Sequence, residues 1–113
     1  MNLPESAMLL RIHIGESDRY GDRPLYEAIV LKAREQQMAG ATVLRGPMGF
    51  GRSSRLHTAK ILRLSEDLPI VVELIDSEES IRRFLPLLQD MVGSGLVTLE
   101  KVQVISYGDA QQP

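Results

Sequence analysis

The sequence predicts an α+β fold with the element order β-α-β-β-α-β. Three observations predict it. Apolar residues alternate strictly in separate short segments, two stretches carry apolar residues at helical spacing, and glycine-rich turns punctuate the chain between them.

Met8, Leu10, Ile12 and Ile14 alternate with Leu9, Arg11 and His13, the period of a strand with one wholly apolar face. Gly15 to Arg23 reads as a polar loop, and Pro24 suits a first helical turn, where its missing N–H would be unpaired anyway. From Leu25 to Met38 the spacing is helical, with Tyr26, Ile29, Val30 and Ala33 forming a stripe opposite Glu27, Lys32 and Glu35. Gly40 fits a left-handed helix-closing position, and Ala41–Arg45 is a second strand. Gly46–Ser65 satisfies neither period and reads as a long loop with room for a short element around Leu56–Leu62. Leu68–Ile75 is a third strand. Asp76-Ser77-Glu78-Glu79 follows as a helix-start signature, with Asp76 capping the N–H of Glu79. The second helix runs to about Met91 through Ile81, Phe84, Leu85 and Leu88, with Pro86 expected to bend it. Gly93-Ser94-Gly95 makes a turn, Leu99–Tyr107 is the last strand, and Gly108–Pro113 is a tail expected to fray. This order is that of the ferredoxin-like, split βαβ fold, an antiparallel sheet with both helices on one face. The expected organisation is one domain over residues 1–113, with an ordered core at about 7–107.

The chain has 113 residues, two Phe, three Tyr and no Trp, so its core must be aliphatic. A domain of this size buries only about two-thirds of its unfolded surface, which favours sharing surface with copies of itself. No apolar run approaches the roughly 18 residues of a membrane span, and the N-terminus has no secretory pattern. With zero cysteines, disulfides and thiolate chemistry are excluded, and a cytoplasmic location is expected. A net charge of −2 argues against general nucleic-acid binding. That average hides a segregation. Gln36 to Ser65 contains no acidic residue but holds Arg45, Arg52, Arg55, Lys60 and Arg63, leaving a net −7 elsewhere.

Helices are expected to cover the side carrying Met8, Leu10, Ile12 and Ile14, with Ile70, Val72, Leu74, Val102 and Val104 beside them. The opposite face would carry Leu9, Arg11 and His13, then Val71, Glu73 and Ile75, then Gln103, Ile105 and Tyr107. A solvated face should be mostly polar. This one is half apolar, as at an interface or binding groove; a merely mixed surface is the plainer reading and sheet-on-sheet packing in an oligomer the favoured one, and Arg11 and Glu73 lie on strands that pair and so can neutralise each other if covered. RNA binding on such a face requires stacked aromatics and positive charge; Tyr107 alone does not supply them.

The chemistry-bearing segment is Gly46-Pro47-Met48-Gly49-Phe50-Gly51-Arg52. Glycines let successive N–H groups converge on an anion, and Arg52 and Arg55 can add charge-assisted bonds to phosphate oxygens. The segment lacks the Lys-Ser/Thr pair of a Walker A loop and the context of a dinucleotide fingerprint. A plain solvent loop accounts for the glycines equally well. The Gly93-Ser94-Gly95 turn permits close ligand approach, although a helix cap alone would explain one glycine. In the expected topology these two segments need not meet within one chain, but they can across a subunit boundary. The candidate ligand-binding set is therefore Gly46, Gly49, Phe50, Gly51, Arg52, Arg55, His57, Gly93, Ser94 and Gly95. His57 stands alone, His13 sits on a strand, Glu16-Ser17-Asp18 reads as a solvated turn, and no catalytic or metal-ligating constellation is evident.

These residues resemble the PII-like proteins grouped as domain of unknown function 190. The resemblance is carried by LRIHIGESDRYGDRPLYEAIVLKARE, AGATVLRGPMGFG with SRLHT, LSEDLPIVVELID, FLP and GLVTLEKVQVI, in order from Met8 to Tyr107. It implies a ferredoxin-like subunit in a homotrimer, sheets inward and helices outward, similar in plan to nitrogen-regulatory PII proteins and to CutA. It further implies a small phosphorylated anion, an adenine nucleotide foremost, bound between subunits. Gly46–Ser65 would correspond to the regulatory T-loop and Gly93–Gly95 to the phosphate-wrapping B-loop. A transporter or channel is the implied partner, by association with small fluoride channels. Two departures stand out. The B-loop is reduced to GSGL without a lysine, and Tyr occurs only at 20, 26 and 107, so the T-loop has no modifiable tyrosine. The expected role is a non-catalytic signal protein. Its rivals are a CutA-like metal-ion binder using His57 and carboxylates, an enzyme acting on a phosphorylated small molecule through Arg52, Arg55 and His57, and an interaction module without ligand.

Overall fold

The structure, a computed structural model, describes residues 5–50, 57–58 and 67–108. Strand β1 spans Ser6–Gly15, helix α1 Leu25–Glu35, strand β2 Ala41–Arg45, strand β3 Pro69–Asp76, helix α2 Glu78–Met91 and strand β4 Leu96–Gln103. Together they form one antiparallel sheet in the order β2-β3-β1-β4, the arrangement expected of the split βαβ fold. Two two-residue ladders lie outside it: Arg19–Tyr20 with Arg23–Pro24, and Met48–Gly49 with His57–Thr58.

The core follows from the alternation. Met8, Leu10, Ile12 and Ile14 on β1 and Ile70, Val72 and Leu74 on β3 are buried against both helices. The two central strands are in register through Leu10 opposite Leu74 and Ile12 opposite Val72. From α2 come Ile81, Phe84, Leu88 and Met91, and each fully buried side chain of this kind contributes about 1.5–3 kcal/mol. On α1 the buried residues are Leu25, Ala28, Ile29 and Ala33, while Tyr26 and Val30 only flank the core. The face is thus rotated from the expected stripe, toward Leu25 and Ala28.

Helix boundaries differ from expectation for local reasons. Pro24 is itself the N-cap of α1, and the Leu25 N–H donates to the Asp18 carbonyl at 2.8 Å. The helix ends at Glu35, and the left-handed residue beyond it is Gln37 (φ 59°), not Gly40. At α2 the cap is Ser77, whose hydroxyl accepts from the Ser80 N–H at 3.1 Å. Asp76 does not cap Glu79. Its carboxylate is buried (3% exposed) and accepts from the Ala39 N–H at 2.8 Å and the Ser77 N–H at 2.7 Å, clamping the α1–β2 turn to the end of β3. The helix runs unbroken past Pro86 to Met91.

The last strand holds the largest correction. It begins at Leu96, three residues before the expected start, and ends at Gln103. Its pairing sets Leu10 opposite Leu99 and Ile12 opposite Val97, so Val97, Leu99 and Lys101 face the helices. Val102 lies opposite Ala7 on the other face. A one-residue change of parity moves a whole strand's side chains across the sheet. Here Val102 and Val104 leave the expected core side, and Leu96, Thr98 and Glu100 join the open face.

Candidate functional site

The glycine turns lie at one end of the sheet. There β1 finishes at Gly15, opposite Pro69 at the start of β3; β2 finishes at Arg45, opposite Ile70; and β4 starts at Leu96, opposite His13. Gly46 leaves β2 with its N–H on the Pro69 carbonyl at 2.8 Å. Gly49 pairs with His57, and both Gly46 and Gly49 lean on the Pro69 ring, where an added Cβ would come within 3.0 and 3.1 Å of Cγ. At the other edge, a Cβ on Gly95 would meet the His13 carbonyl oxygen at 2.9 Å, whereas Gly93 has open space around it. Ser94 is exposed. Phe50 is 74% exposed at the outer end of the described loop. Gly51, Arg52 and Arg55 lie outside the described residues, as do the expected element around Leu56–Leu62 apart from the His57–Thr58 ladder, and residues 109–113 of the tail expected to fray.

The two candidate segments therefore share an end of the sheet but occupy opposite edges, β2 and β4. Three interstrand spacings, about 14 Å, separate the described residues of the two segments. The ground between them is acidic. The Glu16 carboxylate pairs with Arg45, the Asp18 carboxylate accepts from the Gly15 N–H at 3.0 Å, and Asp67 accepts from the Ser17 N–H at 2.8 Å. The carboxylates keep this loop closed on itself. Arg45, part of the basic segment, is thereby committed to Glu16. Among the described residues, no group of three or more His, Asp or Glu side chains could hold a metal ion.

On the open face the expected Arg11–Glu73 pair forms, with Arg11 Nε 2.9 Å from Glu73 Oε2. Arg11 Nη1 also reaches Glu100 Oε1 at 2.9 Å, a partner hidden from sequence because the expected parity of the last strand puts Glu100 on the helix side. The Glu73 hydrogen bond pushes the Arg11 pKa above its ordinary value despite some desolvation, with Glu100 adding to it. Three strands are thus joined by one guanidinium.

A groove of about 520 Å³ lies at the opposite end of this face. After β4 the chain donates from the Val104 N–H to the Glu5 carbonyl at 2.6 Å, and Tyr107 Oη then donates to the Ala39 carbonyl at 2.8 Å. Glu5 precedes β1 at one side and Ala39 precedes β2 at the other, so residues 104–107 form a strap across the sheet. The strap walls the groove, and Thr42, Glu73, Ile75 and Val102 line it from the open face. Ala7 and Leu9, on the side away from the helices, are buried. A last strand continued through Tyr107, as the sequence predicts, leaves no place for the strap.

Comparison with known proteins places residues 7–104 in the family DUF190, described as Uncharacterized ACR, COG1993. A UPF0166 protein of Aquifex aeolicus is 40% identical over 99 residues, covering 86% of this chain and 91% of its own. The UPF0166 protein MJ1524 of Methanocaldococcus jannaschii is 32% identical over 99 residues, covering 87% and 91%. The chain belongs to the DUF190 family. Among solved structures, this DUF190 protein is similar in fold to a candidate PII-like signaling protein (TTHA0516) from Thermus thermophilus. That match has a TM-score of 0.64 and 22% identity, covering 88% of this chain and 90% of the other. It is also similar to CPII, a nitrogen regulatory PII-like protein from Thiomonas intermedia K12 bound to ADP, AMP and bicarbonate. Here the TM-score is 0.59 and the identity 18%, with 88% of each chain covered. The fold of this DUF190 protein is therefore PII-like. The family match contains both glycine turns and the Arg11 cluster, and it ends at residue 104, one residue into the strap.

Proposed function

We propose that this DUF190 protein is the subunit of a homotrimeric, non-catalytic PII-like regulator acting in the cytoplasm, one such domain per chain. In this reading a small phosphorylated anion, an adenine nucleotide foremost, binds between subunits and biases the Gly46–Ser65 loop toward one partner-binding shape, the partner being a transporter or channel. The observation that carries the reading is geometric. The two glycine turns stand at the same end of the sheet on its two outer strands, so head-to-tail contact of the β2 edge with a neighbour's β4 edge would unite them. Such heterologous contacts close into rings when the rotation permits. The donors would be the Gly46, Gly49 and Gly51 backbone with Arg52, Arg55 and His57 from one copy, beside Phe50, and Gly93, Ser94 and Gly95 from the next. The PII-like neighbour bound to ADP and AMP supports the ligand class. An order–disorder change in a loop is a sufficient switch.

Isothermal titration with ATP, ADP, AMP and cyclic dinucleotides tests the reading. The expected result is saturable heat for at least one of them, with one site per subunit interface, no turnover on prolonged incubation, and loss of binding in Arg52→Ala and Arg55→Ala. Absence of heat from all of them, with unchanged melting, would refute it.

A further inference from the structure

We infer that His13 makes the assembly of this chain sensitive to pH, copies associating with the imidazole neutral and separating as it takes a proton; this rests on the reading that three copies form a ring. The open face is laid out in rows. Leu44, Val71, His13 and Leu96 stand opposite one another across β2, β3, β1 and β4, an apolar row with one titratable member. The next row, Thr42, Glu73, Arg11 and Thr98, is polar. The apolar row ends on both outer strands in exposed leucines, Leu44 at 50% and Leu96 at 57%. Rotation about an axis along the strands preserves level. Head-to-tail contact of β2 with a neighbour's β4 therefore sets Leu44 beside Leu96 of the next copy, and the rows of three copies join into one belt.

The belt faces inward, because helices already cover the other side of the sheet. Four strands are about 19 Å wide, so a three-sided ring holds each sheet about 5–6 Å from its axis, close to half the ~10 Å between packed sheets. Open-face side chains of three copies then fill the interior and exclude water. His13, half-buried in the single chain and on a central strand, goes with them. Burial disfavours the charged imidazolium. The neighbouring charge on its own strand face is another cation, Arg11, and the carboxylates of Glu73 and Glu100 are both held by that cation at 2.9 Å. Beyond the end of β1, Glu16 pairs with Arg45, and Asp18 and Asp67 accept from the Gly15 and Ser17 N–H groups. β2 turns Thr42 and Leu44 to this face, neither of them charged. Separate copies thus bind more protons than the ring, and by linkage association strengthens as pH rises.

Sedimentation equilibrium of the full chain and the His13→Gln variant at pH 6.0 and pH 8.0, with far-UV circular dichroism of each, tests the inference. A histidine of ordinary pKa, near 6.5, is about three-quarters protonated at pH 6.0. Three copies that each shed a proton should therefore associate roughly tenfold or more weakly there than at pH 8.0. His13→Gln should associate equally, within about twofold, at the two pH values. Equal association of the parent at both, or a pH dependence that His13→Gln retains, would overturn the switch while leaving assembly intact. Should His13→Gln lose its fold, His13→Leu takes its place under the same outcomes. A parent chain that stays monomeric at every concentration and both pH values would instead overturn the assembly reading itself, and the switch with it.

Discussion

Gly95 and Gly93 separate two reasons for a glycine that look identical in sequence. A Cβ at Gly95 would press on the His13 carbonyl oxygen at 2.9 Å, but one at Gly93 would meet nothing. Gly95 is thus a packing requirement of the β1–β4 contact. Gly95→Ala is expected to cost about 1–3 kcal/mol and Gly93→Ala to stay within about 0.5 kcal/mol, as read by urea denaturation. If Gly93 serves a ligand, its alanine variant will show that in nucleotide titration with stability intact. Asp76 is a second residue whose role changed on folding. Its side chain satisfies two backbone donors, Ala39 and Ser77, and their loss in Asp76→Ala leaves both without that acceptor. A destabilisation of about 2–4 kcal/mol is expected from two such losses, with Asp76→Asn retaining part of it.

At the scale of elements, α2 carries a built-in opposition. Ser77 caps it and Glu78 and Glu79 occupy its first turn, favourable beside the helix N-terminus. Pro86 sits mid-helix, where it withholds one backbone donor. The helix continues because Ile81, Phe84, Leu88 and Met91 are buried along one face, and tertiary burial outweighs a local defect. Pro86 is exposed, so Pro86→Ala touches no core contact. It is expected to stabilise the protein, by up to about 3 kcal/mol, whereas Ser77→Ala should destabilise it by about 0.5–2 kcal/mol; thermal melts of the two variants should move in opposite directions. The sheet edges tell a related story. All five residues of β2 are exposed in the single chain, including Val43 and Leu44, and among the described residues this strand has a partner strand on one side only.

For the whole molecule, the arrangement of the glycine turns ties ligand affinity to assembly. If the ligand site is completed only between copies, binding and association must strengthen each other by the same factor. Nucleotide affinity measured well below the association midpoint should then fall, and saturating nucleotide should shift that midpoint to lower protein concentration. A ligand at a hundred times its Kd would add about 2.7 kcal/mol to the stability of the assembled form. Concentration-independent affinity in the presence of demonstrable assembly would mean that a single chain holds the complete site. Arg11 belongs to this scale too. It joins β3, β1 and β4 on the face that assembly would cover, so those charges are paired before any surface meets them.

The strand alternation and the helical spacing are local properties, and they determined the element order, the antiparallel sheet and nearly all of the core. Arg11 opposite Glu73 was legible for the same reason, since topology alone makes their strands neighbours. What local pattern could not decide was parity and direction at the end of the chain. Val102, Val104, Ile105 and Tyr107 are compatible with a strand of either face, and only the close packing of Gly95 beneath β1 and the pairing of β4 with β1 selected one. The strap, the groove and the Glu100 contact all follow from that selection. The glycine turns were visible as residues, but their shared end and opposite edges are products of the sheet order. A sequence records which residues can approach closely; the sheet order decides what they approach.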